Sequence, residues 1–176
     1  MGRSGKKWEK SHRKGPAVLF SRLARGARVF RGVAQLNLDS KSRLAVPARH
    51  RDTLLERCAG HLVITADADR CLLIYPLPDW ELIQQKLEGL SNLDPRVREL
   101  QRRLIGFAVD VDMDGAGRVL ITPELRRYAQ LEKNVVLVGQ GKKFELWNDE
   151  RWTQLIDSAG GFGAGGLPTE LEDFSL

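Results

Sequence analysis

The sequence predicts an α+β fold in which two tandem modules of β-hairpins and short helices pack as a pseudo-twofold unit. The first observation behind this is an internal repeat. Asp39-Ser40-Lys41-Ser42-Arg43-Leu44-Ala45-Val46-Pro47 returns as Asp114-Gly115-Ala116-Gly117-Arg118-Val119-Leu120-Ile121-Thr122-Pro123, and self-similarity at a fixed offset marks one supersecondary unit used twice. The second is that the match continues: Leu62-Val63-Ile64-Thr65 answers to Val135-Val136-Leu137-Val138, Leu73-Ile74-Tyr75 to Glu145-Leu146-Trp147, and Asp79-Trp80 to Arg151-Trp152. The third is period-two alternation of apolar residues before each copy, which means strands with one buried face.

Taken in order, Leu36 and Leu38 alternate with Gln35, Asn37 and Asp39, Ser40-Lys41-Ser42 forms a turn, and Leu44 and Val46 resume the alternation, so a hairpin is expected. Pro47 takes the first position of a helix that Gly60 ends. Leu62–Thr65 and Leu72–Tyr75 make a second hairpin across Asp67-Ala68-Asp69, and an amphipathic helix with Trp80, Ile83 and Leu87 on one face closes the unit. Asp94 and Pro95 open a connecting helix; its stripe of Val97, Leu100 and Leu104 is expected to pack inside, with Arg96, Arg98, Arg102 and Arg103 exposed.

The second unit repeats the plan. Phe107, Val109, Val111 and Met113 alternate with Ala108, Asp110, Asp112 and Asp114; Gly115-Ala116-Gly117 turns the chain into Val119 and Ile121. Thr122 caps a helix beginning at Pro123. Val135–Val138 pairs with Phe144–Trp147 across Gly139-Gln140-Gly141, and a closing helix carries Trp152, Leu155 and Ile156. The expected boundaries are modules at 33–80 and 109–152, a helical connector at 81–108, an N-terminal extension at 1–28, and a C-terminal part at 153–176. That last part holds the helix end, a linker rich in glycine (Gly160, Gly161, Gly163, Gly165, Gly166) and a tail whose Leu171, Phe174 and Leu176 either dock or fray.

A length of 176 residues with 42% hydrophobic content suits one domain, or two small ones sharing a core. No run approaches the roughly 18 apolar residues of a membrane helix, so no membrane partner is expected. The net charge is +5, but residues 1–28 alone contribute +8, residues 29–57 contribute +3, and everything after Arg57 sums to −6. A polyanion would therefore meet the first stretch of the folded part. Cys58 and Cys71 lack metal-ligand spacing, and His12, His50 and His61 do not cluster with them. Buried thiols in a reducing cytosol, with no metal and no cofactor, are expected.

A strand, a turn carrying Asp-x-x-x-Arg and a helix opened by Val-Pro or Ile-Thr-Pro, duplicated in one chain, resemble the MraZ family. Phe30-Arg31-Gly32, Leu38 to Leu44, Tyr75-Pro76-Leu77-Pro78-Asp79-Trp80, Met113 to Arg118 and Lys143-Phe144-Glu145-Leu146-Trp147 resemble its signatures in order, from about Val29 to Leu176. The resemblance implies two SpoVT-AbrB modules, assembly into a homo-oligomeric ring, and repression of a division and cell-wall gene cluster that includes the regulator's own gene. It implies a cytoplasmic, nucleoid-associated protein whose partner is double-stranded promoter DNA carrying repeats. Residues 1–28 precede it and are expected to reflect a misplaced start, Val29 being the natural first residue read from GTG. The competing expectation is a genuine basic arm adding non-specific DNA affinity.

An Asp four positions before an Arg can brace the turn between them, its carboxylate taking turn amides or the guanidinium. For Asp114 and Arg118 bracing is the expected role, because Gly-Ala-Gly offers no recognising side chain and Asp110 and Asp112 repel phosphate. For Arg43 the residues leave bracing and DNA reading both open, with reading favoured: Lys41 projects from the tip, and Arg31, Arg49 and Arg51 lie near in sequence. A β-ribbon can enter the major groove, where Arg takes guanine O6 and N7 together. Arg43 and Lys41, with Arg31 a weaker candidate, are thus the DNA-binding residues, and Asp39 orients Arg43 without contacting DNA; the resemblance supports Arg43 and Lys41. A ring would multiply such weak contacts.

Other classes fit less well. Asp110-x-Asp112-x-Asp114-Gly115 opens like an EF-hand loop, but Ile121 stands where a bidentate Glu is needed and strands flank it in place of helices. No nucleophile–base pair or phosphate loop stands out, so the chain is not expected to be an enzyme. A ring-forming scaffold that ignores DNA is the main alternative. A hydrolase with an unrecognised site is the weaker one, and a pocket with convergent polar groups would distinguish it.

Overall fold

The structure, a computed structural model, describes residues 29–158; the expectations for 1–28 and for the linker and tail fall outside the described residues. The elements are β1 (Phe30–Asn37), β2 (Arg43–Ala45), α1 (Ala48–Cys58), β3 (His61–Ala66), β4 (Leu72–Pro76), α2 (Leu77–Glu88), α3 (Pro95–Leu104), β5 (Val109–Asp112), β6 (Arg118–Leu120), α4 (Pro123–Tyr128), β7 (Asn134–Gly141), β8 (Lys143–Asn148) and α5 (Asp149–Ser158). The fold is α+β. Six antiparallel strands run in the order β1-β7-β8-β4-β3-β5, and β2 pairs with β6 in a separate two-stranded ribbon. Exchanging the units, β1 for β5, β2 for β6, β3 for β7 and β4 for β8, returns the same order.

The later hairpins form as predicted, β3 on β4 and β7 on β8. The first hairpin of each unit forms only at its turn, which Asp39 N–H closes onto the Arg43 carbonyl and Asp114 N–H onto the Arg118 carbonyl, and its strands then take other partners. β1 pairs along its whole length with β7, from Phe30 opposite Gly141 to Asn37 opposite Asn134. β5 pairs with β3. Beyond the turn itself, an isolated Leu38–Leu44 bridge just past the end of β1 is all that pairs with β2 from that side. The reason lies in strand length: Pro47 lacks an N–H and starts the helix approach, so β2 stops after three residues, whereas the eight-residue β1 needs an eight-residue partner and finds it in β7.

One face of the large sheet, with Leu62, Ile64, Leu72, Ile74, Leu137 and Phe144 among its residues, packs against Leu44 of β2, Val119 of β6, Leu54 of α1 and Leu125 of α4. Phe30 closes one end, 4.1 Å from the Phe144 ring and edge-on to His50. The other face carries Cys71, Leu73, Val136, Val138 and Trp147, covered in part by Leu104 and Trp152. Truncating a buried leucine such as Leu44 to alanine costs about 2–5 kcal/mol, so both turns' ribbon strands are anchored by the core.

Several expectations change. No residue of α3 is buried, and Leu100 is exposed: the helix rests on the sheet mainly through its C-terminal end, where the Thr65 hydroxyl donates to the Leu104 carbonyl at 2.6 Å. In α5, Trp152 meets Trp147, but Leu155 and Ile156 stay exposed. Ala59 is the left-handed cap of α1 at φ 52°, and Gly60, which follows it at φ 84°, carries the chain out of the helix as expected. The β7–β8 ladder runs on to Gln140 opposite Lys143, so Gly139 belongs to a strand and not to the turn. Its missing side chain admits β1: a Cβ there would stand 2.5 Å from the Arg31 nitrogen.

Gly139→Val is therefore expected to destabilise the protein by about 1–3 kcal/mol in urea unfolding. Gly115→Ala, at a turn position with open space around it, should change stability by no more than about 0.5 kcal/mol.

Candidate nucleic-acid interface

The two Asp-x-x-x-Arg segments form the same turn. Asp39 N–H donates to the Arg43 carbonyl at 3.0 Å and Ser42 N–H to the Asp39 carbonyl at 2.9 Å; the corresponding bonds from Asp114 and Gly117 are both 2.8 Å. The third loop residue must then be left-handed. Ser42 has φ 59° and Gly117 φ 75°, as a three-residue loop closing on a bulge requires.

Each carboxylate braces its turn from within. Asp39 Oδ1 accepts the Lys41 and Arg43 amides at 2.8 and 2.9 Å, and Oδ2 accepts Arg43 Nε and Nη2 at 2.8 and 2.7 Å. Asp114 repeats this with the Ala116 and Arg118 amides, both at 2.9 Å, and with Arg118 Nε and Nη2 at 2.9 and 2.8 Å. The Arg43 amide, followed by its guanidinium, holds the Asp39 carboxyl down to about 2. The Arg118 side chain holds Asp114 below the ordinary range, and Arg118 is raised in turn, chiefly by Asp114 with a smaller contribution from Asp39.

Asp39 can act on Arg118 because the turns are neighbours. Antiparallel pairing sets Arg43 opposite Leu120, Leu44 opposite Val119 and Ala45 opposite Arg118. Leu44 and Val119 point into the core at 0% exposure, so Arg43, Ala45, Arg118 and Leu120 share the outer face of the ribbon. Both arginines thus lie on one exposed surface, and both are braced. The tips distinguish them: among the described residues the Lys41 side chain has no hydrogen-bond or ion-pair partner, and the second tip offers only Gly115 and Ala116.

The structure redistributes the other basic residues. Arg31 stands near the far end of β1, about 26 Å of extended chain from Asp39. Arg49 lies over Gly32 at that same end and donates to His50 at 3.1 Å; His50 is buried, and desolvation lowers its pKa. Arg51 crosses to the second turn, where it packs over Gly117 and donates from Nε to the Val46 carbonyl at 2.7 Å. None of the three reaches the first turn. Arg126 of α4 does, donating from Nη1 to Ser42 Oγ at 2.8 Å and from Nε to the Leu131 carbonyl at 2.9 Å. The sequence hid this contact behind a separation of 84 residues; the repeat offset that equates Arg51 with Arg126 was the one available signal.

The acidic residues do not assemble. Asp112 pairs with His61 at 2.6 Å, Asp114 is taken by Arg118, and among the described residues no group of three or more His, Cys, Asp or Glu is placed to hold a metal ion. A groove of about 550 Å³ between α2 and β5 is lined by Trp80, Glu81, Glu88 and Asp110 among others, but by no serine, cysteine, histidine or lysine. No helix among the described residues is long and apolar enough to cross a membrane.

Proteins similar in sequence to this chain are named as transcriptional regulators. The chain is 57% identical over 148 residues to the transcriptional regulator MraZ of Thiobacillus denitrificans and 58% identical over 148 residues to that of Nitrosospira multiformis, in each case across 84% of this chain and the whole of the relative. It is 52% identical over 151 residues to the MraZ of Pseudomonas aeruginosa, with the same coverage. A family profile described as "MraZ protein, putative antitoxin-like" matches residues 29–103 and 104–161. The chain belongs to the MraZ family.

The depressed Asp39 carboxyl has a consequence for acid stability. A carboxyl lowered on folding stabilises the fold above its unfolded value, 3.8, and that contribution disappears as the pH falls toward about 2. Urea unfolding of the native protein and Asp39→Asn should show the native chain more stable at pH 6 and the gap closing between about pH 4 and 2. A gap independent of pH would contradict the brace.

Proposed function

We propose that this chain is a sequence-specific DNA-binding transcription regulator, and that the turn from Asp39 to Arg43 is its reading tip. The observation that carries this is the division of labour in Arg43. Asp39 occupies the Nε/Nη2 edge, and the remaining N–H donors of a side chain 29% exposed on the ribbon's outer face have no partner among the described residues. A guanidinium fixed along one edge and open at its end suits the paired O6 and N7 acceptors of guanine. Lys41 beside it supplies a mobile charge for a phosphate or a base edge. The names of the relatives support the regulatory reading.

In this reading the SpoVT-AbrB modules span 33–80 and 109–152, joined by the connector at 81–108, and each chain contributes one tip. Several copies in a ring engage successive promoter repeats, so that weak single contacts add by avidity. The targets are the chain's own division and cell-wall gene cluster, which it represses, and the protein works at the nucleoid. Arg31, displaced from the tip, has at most a backbone role.

Arg43→Ala is expected to weaken operator binding by about 1–3 kcal/mol per tip, which across several tips abolishes the gel shift at moderate salt. Arg118→Ala should chiefly affect stability or assembly. Lys41→Ala should weaken binding and flatten its dependence on salt. Operator affinity kept by Arg43→Ala and lost by Arg118→Ala, with fold and assembly intact, would assign reading to the other turn. Failure of the native protein to shift its own upstream DNA at any salt concentration would favour the scaffold.

A further inference from the structure

We propose that Arg126 and Ser42 form a positioning pair that lets the second unit set the conformation of the first unit's reading tip. The inference rests on the assignment of the Asp39–Arg43 turn to DNA. Ser42 occupies a left-handed conformation at φ 59°, where the second turn uses Gly117 at φ 75°. Glycine enters that region without strain, and a side chain there is strained. Serine is thus the less comfortable residue for the backbone, yet its hydroxyl has a use that glycine lacks: it accepts Arg126 Nη1 at 2.8 Å.

Arg126 is itself held. Its Nε donates to the Leu131 carbonyl at 2.9 Å, just beyond the α4 helix, and the side chain is half-buried. The grip is therefore a fixed arm from the opposite unit and not a swinging surface charge. It acts on the residue between Lys41 and Arg43, the two side chains assigned to DNA. The equivalent arm works differently at the other turn. Arg51 fills the space over Gly117 and bonds the Val46 carbonyl, and it finds no side chain on the turn to hold. The turn with a lysine tip is gripped through a side chain; the turn with a bare tip is only packed.

This arrangement separates stability from binding at one residue. Ser42→Gly relieves the backbone strain and leaves the Arg126–Leu131 bond in place, while removing the grip on the tip. The full chain should keep or raise its melting temperature, and should lose roughly tenfold in affinity for the DNA upstream of its own gene, the scale of one charge-assisted hydrogen bond. Affinity for a scrambled duplex of the same length should not change. Arg126→Lys, which can still donate to Ser42, should recover part of the affinity that Arg126→Ala loses. The double variant Ser42→Gly with Arg126→Ala should bind no worse than Arg126→Ala alone. The pair is overturned if Ser42→Gly binds its operator like the native protein while Lys41→Ala does not, because the tip then reads DNA without the grip. Loss of affinity that follows loss of melting temperature across the set would also overturn it. If Lys41→Ala and Arg43→Ala both bind as the native chain does, the DNA assignment fails first and leaves nothing for the pair to position.

Discussion

Ser42 and Gly117 each give a carbonyl to the opposite half of the chain: Ile121 N–H donates to Ser42 and Val46 N–H to Gly117, both at 2.9 Å. These reciprocal bonds extend the three-residue ribbon of β2 and β6, and the rest of the fold depends on the exchange they represent. β1 leaves its own unit to pair with β7, and β5 leaves its own to pair with β3. Neither half can complete its sheet from its own residues, because the long strand of each has its partner in the other. The unsatisfied backbone groups of an isolated β1 would be costly if buried, so the two repeats form one structural unit with a single main core.

The same exchange sets the candidate interface. The ribbon's inner residues, Leu44 and Val119, are fully buried, which fixes which way Arg43 and Arg118 face. Aspartates inside the turns then fix one edge of each guanidinium. The charge at the surface comes from both units: Arg126 arrives at the first turn and Arg51 at the second. Twofold topology makes the braces alike, and the difference between the tips comes from the three loop residues, Ser-Lys-Ser against Gly-Ala-Gly.

Much of this was legible in the sequence. The repeat located both turns, Asp94 and Thr122 announced their caps, and the alternation in Val109 to Asp112 told which side of β5 packs against the core. What alternation cannot tell is which strand lies alongside: period two specifies a face and says nothing of a partner. For that reason β1 and β2 read as a hairpin although they separate after their turn. Nearness in sequence misled in the same way for Arg31, Arg49 and Arg51, since an extended strand and a helix carry neighbours apart within a few residues. The stripes of α3 and α5 showed amphipathic helices correctly, but periodicity does not guarantee that the chain itself covers the apolar side, and Leu100, Leu155 and Ile156 remain exposed.

The central claim, that each half is completed by the other, can be tested by expressing residues 29–103 without the rest of the chain and following its folding by circular dichroism and analytical ultracentrifugation over a range of concentrations. The account predicts a fragment that is unfolded when dilute. It should acquire sheet structure only on mixing with residues 104–176, or at high concentration by pairing with a second copy of itself. A fragment that melts cooperatively as a monomer, at a temperature independent of concentration, would contradict the strand exchange on which the interface is built.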